Sequence, residues 1–385
     1  MAYALFIILV AFALLGDARI FLFVLNRLVF GNHRHEQSPW SWLMWFTPPV
    51  LLVLTLLFWP LHQWVDRFAT PWPILSTIGA GWLFFAAAVG IGWIVRRLHL
   101  VLEGEKPVHG VRTQAPRVIR LRKAHVPFAW LRKLGAHNDI YDLEVTRHEI
   151  FIDDLPPAFD GYRIAFLTDT HVASFVRREF YREIQAQVAA FDPDLILLGG
   201  DFVSFNRHIK LMSATLMSDL SARDGVYAIL GNHDYWAGAR EVTDAMTARG
   251  IRFIINQNVT LTRDGATLAL VGIDELYRGE PDVDAAFAGV SGPTIGVSHH
   301  PDVIDILDRR RLDLLVCGHT HGGQIRFPFF GAIVVPSRHE WRYAAGFHRV
   351  GRVLMYVSRG IGAIPPLRIL CRPELATFVL RRSLR

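Results

Sequence analysis

The pattern of apolar and polar positions changes twice along the chain. Residues 43–61, LMWFTPPVLLVLTLLFWPL, and 74–95, ILSTIGAGWLFFAAAVGIGWIV, hold no charged residue. Each approaches or exceeds the run of about 20 apolar residues that crosses the hydrocarbon core of a bilayer. Trp40, Trp42, Trp64, Trp72 and Trp93 suit its interfaces. Residues 3–25 form another apolar stretch, interrupted by Asp17 and Arg19. They predict one helix whose two charges pair or face other helices. A cleaved signal peptide is the alternative, but no basic segment precedes the apolar run and no small-residue cleavage site stands out. The expectation is a transmembrane region of about three helices over 1–95.

From about residue 145 the apolar runs shorten to strand length, and each ends in a polar, glycine-containing turn. RIAFLTDTH (163–171), DLILLGGD (194–201), GVYAILGNHD (225–234), TIGVSHHPD (294–302) and LDLLVCGHTH (312–321) share this form. Segments of helical character, 177–190 and 209–220, separate the first three. Continuous apolar strands alternating with helices predict a sheet buried on both faces. Later runs, RVLMYVSRG and LATFVLRR, predict further strands and a second sheet. The fold class expected over 145–385 is therefore α/β, a layered sandwich of two sheets flanked by helices.

Composition supports this division. The 385 residues are 51% hydrophobic, with a mean hydropathy of +0.26, high for an ordinary soluble enzyme. The formal charge is +6. Residues 96–133 hold ten basic residues against Glu103 and Glu105. By the positive-inside rule this excess places everything after the third helix in the cytoplasm. The expectation for 96–144 is a basic juxtamembrane linker, in which VIRLRKAHVPFAWLRKL mixes cations with apolar side chains suited to anionic headgroups. No nucleic-acid recognition motif accompanies the charge, and nucleic acid is not an expected partner. Cys317 and Cys371 are the only cysteines and form no framework or zinc pattern.

The chemistry collects at the ends of the five runs. Asp169, His171, Asp201, Asn232, His233, Asp234, His299, His319 and His321 all lie there, where open α/β sheets bind ligands. Carboxylate, imidazole and amide oxygen without thiolate suit Mn, Fe or Zn rather than a structural zinc site. There are too many donors for one ion; two ions sharing a carboxylate would use them. In GHTHGGQ (318–324), His319 and His321 can reach different ions if the loop is extended.

In this order and spacing the residues resemble the calcineurin-like metallophosphoesterase superfamily, whose pattern is D-x-H, G-D, G-N-H-[DE], a single His and G-H-x-H. The likeness is greatest to its bacterial membrane-anchored branch, on GHTHGGQ, SRGIG (358–362) and CRPEL (371–375). The resemblance covers about 169–321. It implies a metallophosphoesterase-type αββα sandwich with two divalent ions (Mn, Fe, Zn or Mg, with Mn favoured). By it, Asp169, His171, Asp201 and His321 hold the first ion. Asp201 bridges to the second, which Asn232, His299 and His319 also bind. His233 acts on the leaving group and Asp234 orients its imidazole. Ser204 stands where the family often has an acidic residue. His299 is chosen over His300 because the family histidine precedes x-Pro. Gln324 receives no role.

The function expected is a phosphoesterase of the bacterial inner membrane, multi-pass, with a cytoplasmic catalytic domain. It hydrolyses phosphodiester or pyrophosphate bonds, including those of lipid-linked substrates, by a metal-bridging hydroxide, with membrane lipids as its surroundings. The alternatives are a tethered phosphodiesterase for soluble nucleotides, an enzyme like the UDP-diacylglucosamine hydrolases of lipid A synthesis, and a non-catalytic membrane regulator.

Overall fold

Apolar runs of four or five residues become the inner strands of two sheets in the computed structural model, which describes residues 8–17, 19–20, 72–103, 107–121, 137–307, 312–328, 331–332 and 334–383. The chain divides into two units, Met1–Lys106 and Pro107–Arg385.

In the first unit, 8–17 is helical and α1 spans Trp72–Glu103. Ala13, Ala86 and Ala87 are buried together, small side chains of the kind that let helices approach closely. The Trp82 indole donates to Asp17 Oδ1 at 3.1 Å, which gives that interrupting charge a partner on another helix. The expected span at 43–61 lies outside the described residues, as does 3–25 apart from 8–17 and 19–20. The span expected at 74–95 falls within α1. Among the described residues, no helix is long and apolar enough to cross a membrane.

The second unit is a mixed α/β sandwich. Its first sheet contains β1 (Val111–Thr113), β2 (Arg117–Arg120), β3 (Asp142–Ile152), β4 (Arg163–Leu167), β5 (Leu195–Leu198), β6 (Val226–Ala228), β7 (Arg252–Phe253) and the last strand of the chain. The second contains β8 (Gln257–Arg263), β9 (Ala266–Gly272), β10 (Thr294–Val297), β11 (Leu314–Cys317), β14 (Gly346–Val350) and β15 (Val353–Val357). Between these come the hairpin strands β12 (Arg326–Phe327) and β13 (Gly331–Ala332), and β16 (Glu374–Arg382) ends the series. The sheet orders are β1-β3-β16-β4-β5-β6-β7, with β2 also on β3, and β14-β15-β11-β10-β9-β8. Strands β4 to β7 are parallel, as are β9, β10, β11 and β15. Two segments of the expected linker, β1 and β2, thus belong to the sheet of the larger unit.

Alternation within each apolar run makes three layers of core. Along β5, Leu195 and Leu197 face the second sheet with Ile164 and Phe166 of β4. Ile196 and Leu198 face the helices α2 (Arg178–Phe191), α3 (Ile209–Ala214) and α4 (Asn232–Thr247), as the two-residue period of a strand requires. The outer face of the second sheet is covered by Val303, Ile304 and Tyr343, which stand on 3-10 turns rather than long helices. The flanking helices expected for that sheet are accordingly short among the described residues.

An ion network joins the two sheets. Glu374 of β16 is buried. It accepts from the Tyr356 hydroxyl at 2.7 Å, from the backbone N–H of Arg359 at 2.9 Å and from its guanidinium at 3.2 Å. Arg359 also meets Glu144 of β3 at 2.6 Å. Burial alone would raise the Glu374 carboxyl, but Arg359 and the donated hydrogen bonds bring it from 4.5 down to about 2. Its contribution is complete above about pH 4.5 and is lost as pH falls through about 2. Glu374→Gln is expected to destabilise the unit by about 3 kcal/mol, because one partner of a buried pair is removed. Urea unfolding at pH 7 measures this, and the difference from wild type should shrink toward pH 2.

Candidate metal centre

The nine polar residues of the five runs converge at the carboxyl ends of the parallel strands. Asp169 and His171 follow β4, Asp201 follows β5, and Asn232, His233 and Asp234 open α4 just beyond β6. His299 follows β10, and His319 and His321 follow β11. Backbone strain gathers at the same places. Eleven described non-glycine residues have positive φ, and Asp169, His171, Asp201, His319 and His321 are five of them. Such conformations persist only where surrounding contacts enforce them, and they mark functional sites. Gly318 shows how tight the approach is: a Cβ there would lie 2.1 Å from Thr168 Oγ1 and 2.2 Å from Asp169 Oδ2.

Two groups of ligand-type atoms result. Asp169, His171 and His321 form one and Asp201, His299 and His319 the other, with ligand atoms within 4.8 Å of one another in each. In the first, His171 Nε2 lies 3.0 Å from His321 Nε2, and His321 Nε2 lies 3.5 Å from Asp169 Oδ1. Asp201 Oδ2 reaches both groups, 3.6 Å from His171 Nε2 and 3.3 Å from His299 Nε2. Asn232 Oδ1 lies 3.2 Å from His299 Nε2 and 3.0 Å from His319 Nδ1.

The donor set fits divalent cations. His299 Nδ1 is 2.8 Å from the Gly199 carbonyl, which can only accept, so the proton sits on Nδ1 and Nε2 is left as a ligand atom. That Nε2 then faces only Asp201 Oδ2, Asn232 Oδ1 and, at 3.1 Å, His319 Nδ1. The lone pairs that Asp201 and Asn232 direct at this nitrogen make a place that a cation would complete. Without one, a proton takes the place: burial disfavours charge on His299, but Asp201, Asp169 and Glu275 outweigh it and raise the imidazole to about 10. Burial lowers His171 to about 3 and, with the neighbouring imidazoles, holds His319 and His321 well below the ordinary range. These three are neutral, the form that binds metal. Burial raises Asp169 to about 6; His299 lowers it, and a cation beside it would oppose burial in the same sense.

The partners of several residues differ from or extend the sequence reading. Asp234 is fully buried. Its Oδ1 accepts from the backbone N–H of Phe202 at 2.8 Å and of Val203 at 3.3 Å, and its Oδ2 from that of Gly231 at 3.0 Å. The expectation that Asp234 orients the His233 imidazole is corrected: the carboxylate ties the loop carrying Asp201 to the start of α4. Adjacent helical residues do not face each other, which is the physical reason. His233 is partly exposed, with its ring centroid 4.8 Å from that of His171 and 4.6 Å from that of Trp236. His171, Asp201 and His233 also lie within metal-binding reach of one another. Geometry alone therefore leaves His233 among possible ligands. His300 packs its ring against His319, centroids 4.0 Å apart, and its Nδ1 accepts the Asp302 N–H at 3.1 Å. Ser204, at the position where the family often has an acid, lies 2.7 Å from His171 Nδ1 and orients that ring. Gln324 donates to the Pro365 carbonyl at 3.1 Å and steadies its loop. A second cluster, His137, Asp139 and Asp142, is of ligand type, but Arg120 already pairs with Asp142 at 3.5 Å.

Comparison with known proteins gives one consistent family. Residues 162–323 match the calcineurin-like phosphoesterase family. "Phosphodiesterase YaeI" of Escherichia coli (strain K12) is 32% identical over 243 residues, 62% of this chain and 88% of that protein. "Uncharacterized metallophosphoesterase YkuE" of Bacillus subtilis (strain 168) is 31% identical over 250 residues, 63% of this chain and 86% of that protein. "Transmembrane protein with metallophosphoesterase domain" of Danio rerio is 28% identical over 272 residues, 66% of this chain and 61% of that protein.

Proposed function

Because the chain belongs to the calcineurin-like phosphoesterases and is a metal-dependent phosphoester hydrolase, we propose that it is a two-ion phosphodiesterase anchored at a membrane. One observation carries the two-ion reading: Asp201 lies within reach of both ligand groups. Asp169, His171, Asp201 and His321 would hold one ion, and Asp201, Asn232, His299 and His319 the other. Manganese suits this mixture of carboxylate, imidazole and amide without thiolate. Divalent ions held there would neutralise phosphoryl charge and make a water acidic enough to attack phosphorus.

The chain itself supplies placement and a proton. The backbone N–H of His233 donates to Asp201 Oδ1 at 2.8 Å, which ties the histidine to the shared carboxylate. Its imidazole stands beside His171 at the more open side of the cluster. In this position it can give a proton to the departing oxygen. Ser204 and the Gly199 carbonyl hold the rings of His171 and His299 from behind, so the donors are set before substrate arrives.

For the substrate, phosphodiester bonds are favoured by the name of the Escherichia coli relative. Lipid-linked examples are favoured by the uncharged stretches at 43–61 and 74–95 and the basic run 96–133. The small-residue contact at Ala13, Ala86 and Ala87 and the name of the Danio rerio relative support anchoring, and the basic run 96–133 favours a catalytic unit on the cytoplasmic side. Hydrolysis of bis(p-nitrophenyl) phosphate that stops with EDTA and returns with Mn²⁺ is the expected result. Metal-independent turnover, or none at all, contradicts the proposed reaction. The same assay on separated membrane and soluble fractions tests the anchoring, which activity in the soluble fraction would refute.

A further inference from the structure

We propose that Arg278, held against the face of Trp236, is a second anion-binding point at the mouth of the site, and that the protein prefers substrates bearing a second phosphate beside the one that is cleaved. This rests on the phosphoesterase reading and names its substrate class more closely.

The first observation is a row of side chains leading outward from the candidate metal centre. His233 and Trp236 stand three residues apart on the first turn of α4, so they share a face, and their ring centroids are 4.6 Å apart. His233 in turn lies 4.8 Å from His171. On the outer side, Arg278 Cζ sits 5.1 Å from the centre of the Trp236 ring. Trp236 is 55% exposed, so the row ends at solvent. The guanidinium is one aromatic ring beyond His233, a position suited to the next phosphate of an anhydride rather than the scissile one.

The second observation is how the loop carrying Arg278 is built. Asp274 and Glu275 are both buried, and the loop is folded around them. Asp274 accepts from the Tyr235 hydroxyl at 2.6 Å and from the backbone N–H groups of Glu275 at 2.7 Å and Glu280 at 2.9 Å. Glu275 Oε2 accepts from the N–H of Tyr277 at 2.8 Å and from that of Arg278 itself at 2.5 Å. Glu275 Oε1 is buried with no hydrogen-bond partner among the described residues, and burial raises this carboxyl above its ordinary range. A Cβ on Gly279 would lie 2.4 Å from the Asp274 carboxylate, so the turn closes only with glycine there. Tyr235 neighbours Trp236 on α4, and its bond to Asp274 brackets loop and helix together. Burying two carboxylates to clamp one turn is costly. What the clamp achieves is a fixed backbone for Arg278 against the helix that carries His233.

The chemistry of the pair then points to phosphate. A guanidinium presents a planar fork that matches phosphate oxygens, and stacking on an aromatic face pre-organises it. Partial burial lowers Arg278 from its ordinary value, yet arginine keeps its charge, and a partly desolvated cation attracts an anion more strongly than one in water. A diester with a single phosphate offers no second anion to this group.

The test is calorimetric binding of AMP and ADP to the detergent-solubilised full chain at a fixed excess of Mn²⁺. The shared adenosine cancels in the ratio, and no turnover is needed. Wild type is expected to bind ADP at least about tenfold more tightly than AMP, the worth of one charge-assisted contact. Arg278→Met should bring the ratio near one, with the unfolding temperature unchanged, and Arg278→Lys should keep part of the preference. If the Met variant does not fold, the Lys variant decides by its reduced ratio. Equal binding of AMP and ADP by wild type, or an undiminished preference in the variants, overturns the proposal. Hydrolysis of bis(p-nitrophenyl) phosphate by wild type is followed separately: its absence would remove the proposed reaction and leave the comparison of the two nucleotides standing.

Discussion

Asp201→Asn is expected to abolish phosphoester hydrolysis, lowering kcat by at least about a thousandfold, or about 4 kcal/mol of barrier. Bound metal should fall from two ions per chain to one or none. The size of the effect follows from position. Asp201 Oδ2 lies 3.6 Å from His171 Nε2 and 3.3 Å from His299 Nε2, so one carboxylate serves both groups of ligands. Burial alone would raise this carboxyl, but the neighbouring His299 holds it well below its ordinary range. It is ionised where a cation needs it. The asparagine keeps an oxygen for the His233 N–H that Asp201 Oδ1 now accepts at 2.8 Å, so the fold at the start of α4 is preserved and the loss can be read as loss of charge. Elemental analysis and bis(p-nitrophenyl) phosphate turnover on the same sample measure both effects. A variant with full metal content and wild-type turnover would remove Asp201 from the bridging position.

His233→Ala is expected to lower kcat by about a hundredfold to ten-thousandfold, the usual worth of a positioned acid, while both ions remain. The pairing of results matters because His171, Asp201 and His233 are themselves close enough to hold an ion. A ligand and a proton donor at this position differ in one readout: metal content. His233 is partly exposed, whereas His171, His299 and His319 are buried; that places it where substrate arrives rather than behind the ions. Loss of one equivalent of metal in this variant would make His233 a ligand and leave the proton donor to be found elsewhere.

The candidate site was more legible in the sequence than the contacts that support it. Asp169, Asp201, His299 and His319 terminate apolar runs, and a run of strand length that ends in a polar turn places its last residues at the carboxyl edge of a sheet. This local signal needs no knowledge of pairing. The partners of Asp234 were not legible, because its bonds to Phe202 and Val203 cross 32 and 31 residues of sequence and the neighbouring His233 drew the inference instead. Ser204 presents the same difficulty: nothing in GDFVS shows that its hydroxyl meets His171, 33 positions away. Strand β16 reads correctly as a strand, but its insertion between β3 and β4 depends on pairing over more than 200 residues. β1 (VRT) and β2 (RVIR) are short and rich in arginine, so charge masked their membership of the sheet. Arg278 and Trp236 became visible only through the loop and helix that bring them together.

The most direct measurement on the two-ion centre is a titration of the metal-free chain with Mn²⁺, read by bis(p-nitrophenyl) phosphate hydrolysis. Activity should rise to a plateau at two equivalents per chain, because there are two ligand groups and Asp201 Oδ2 lies within reach of both. A plateau at one equivalent, or full activity before any metal is added, would contradict a two-ion centre.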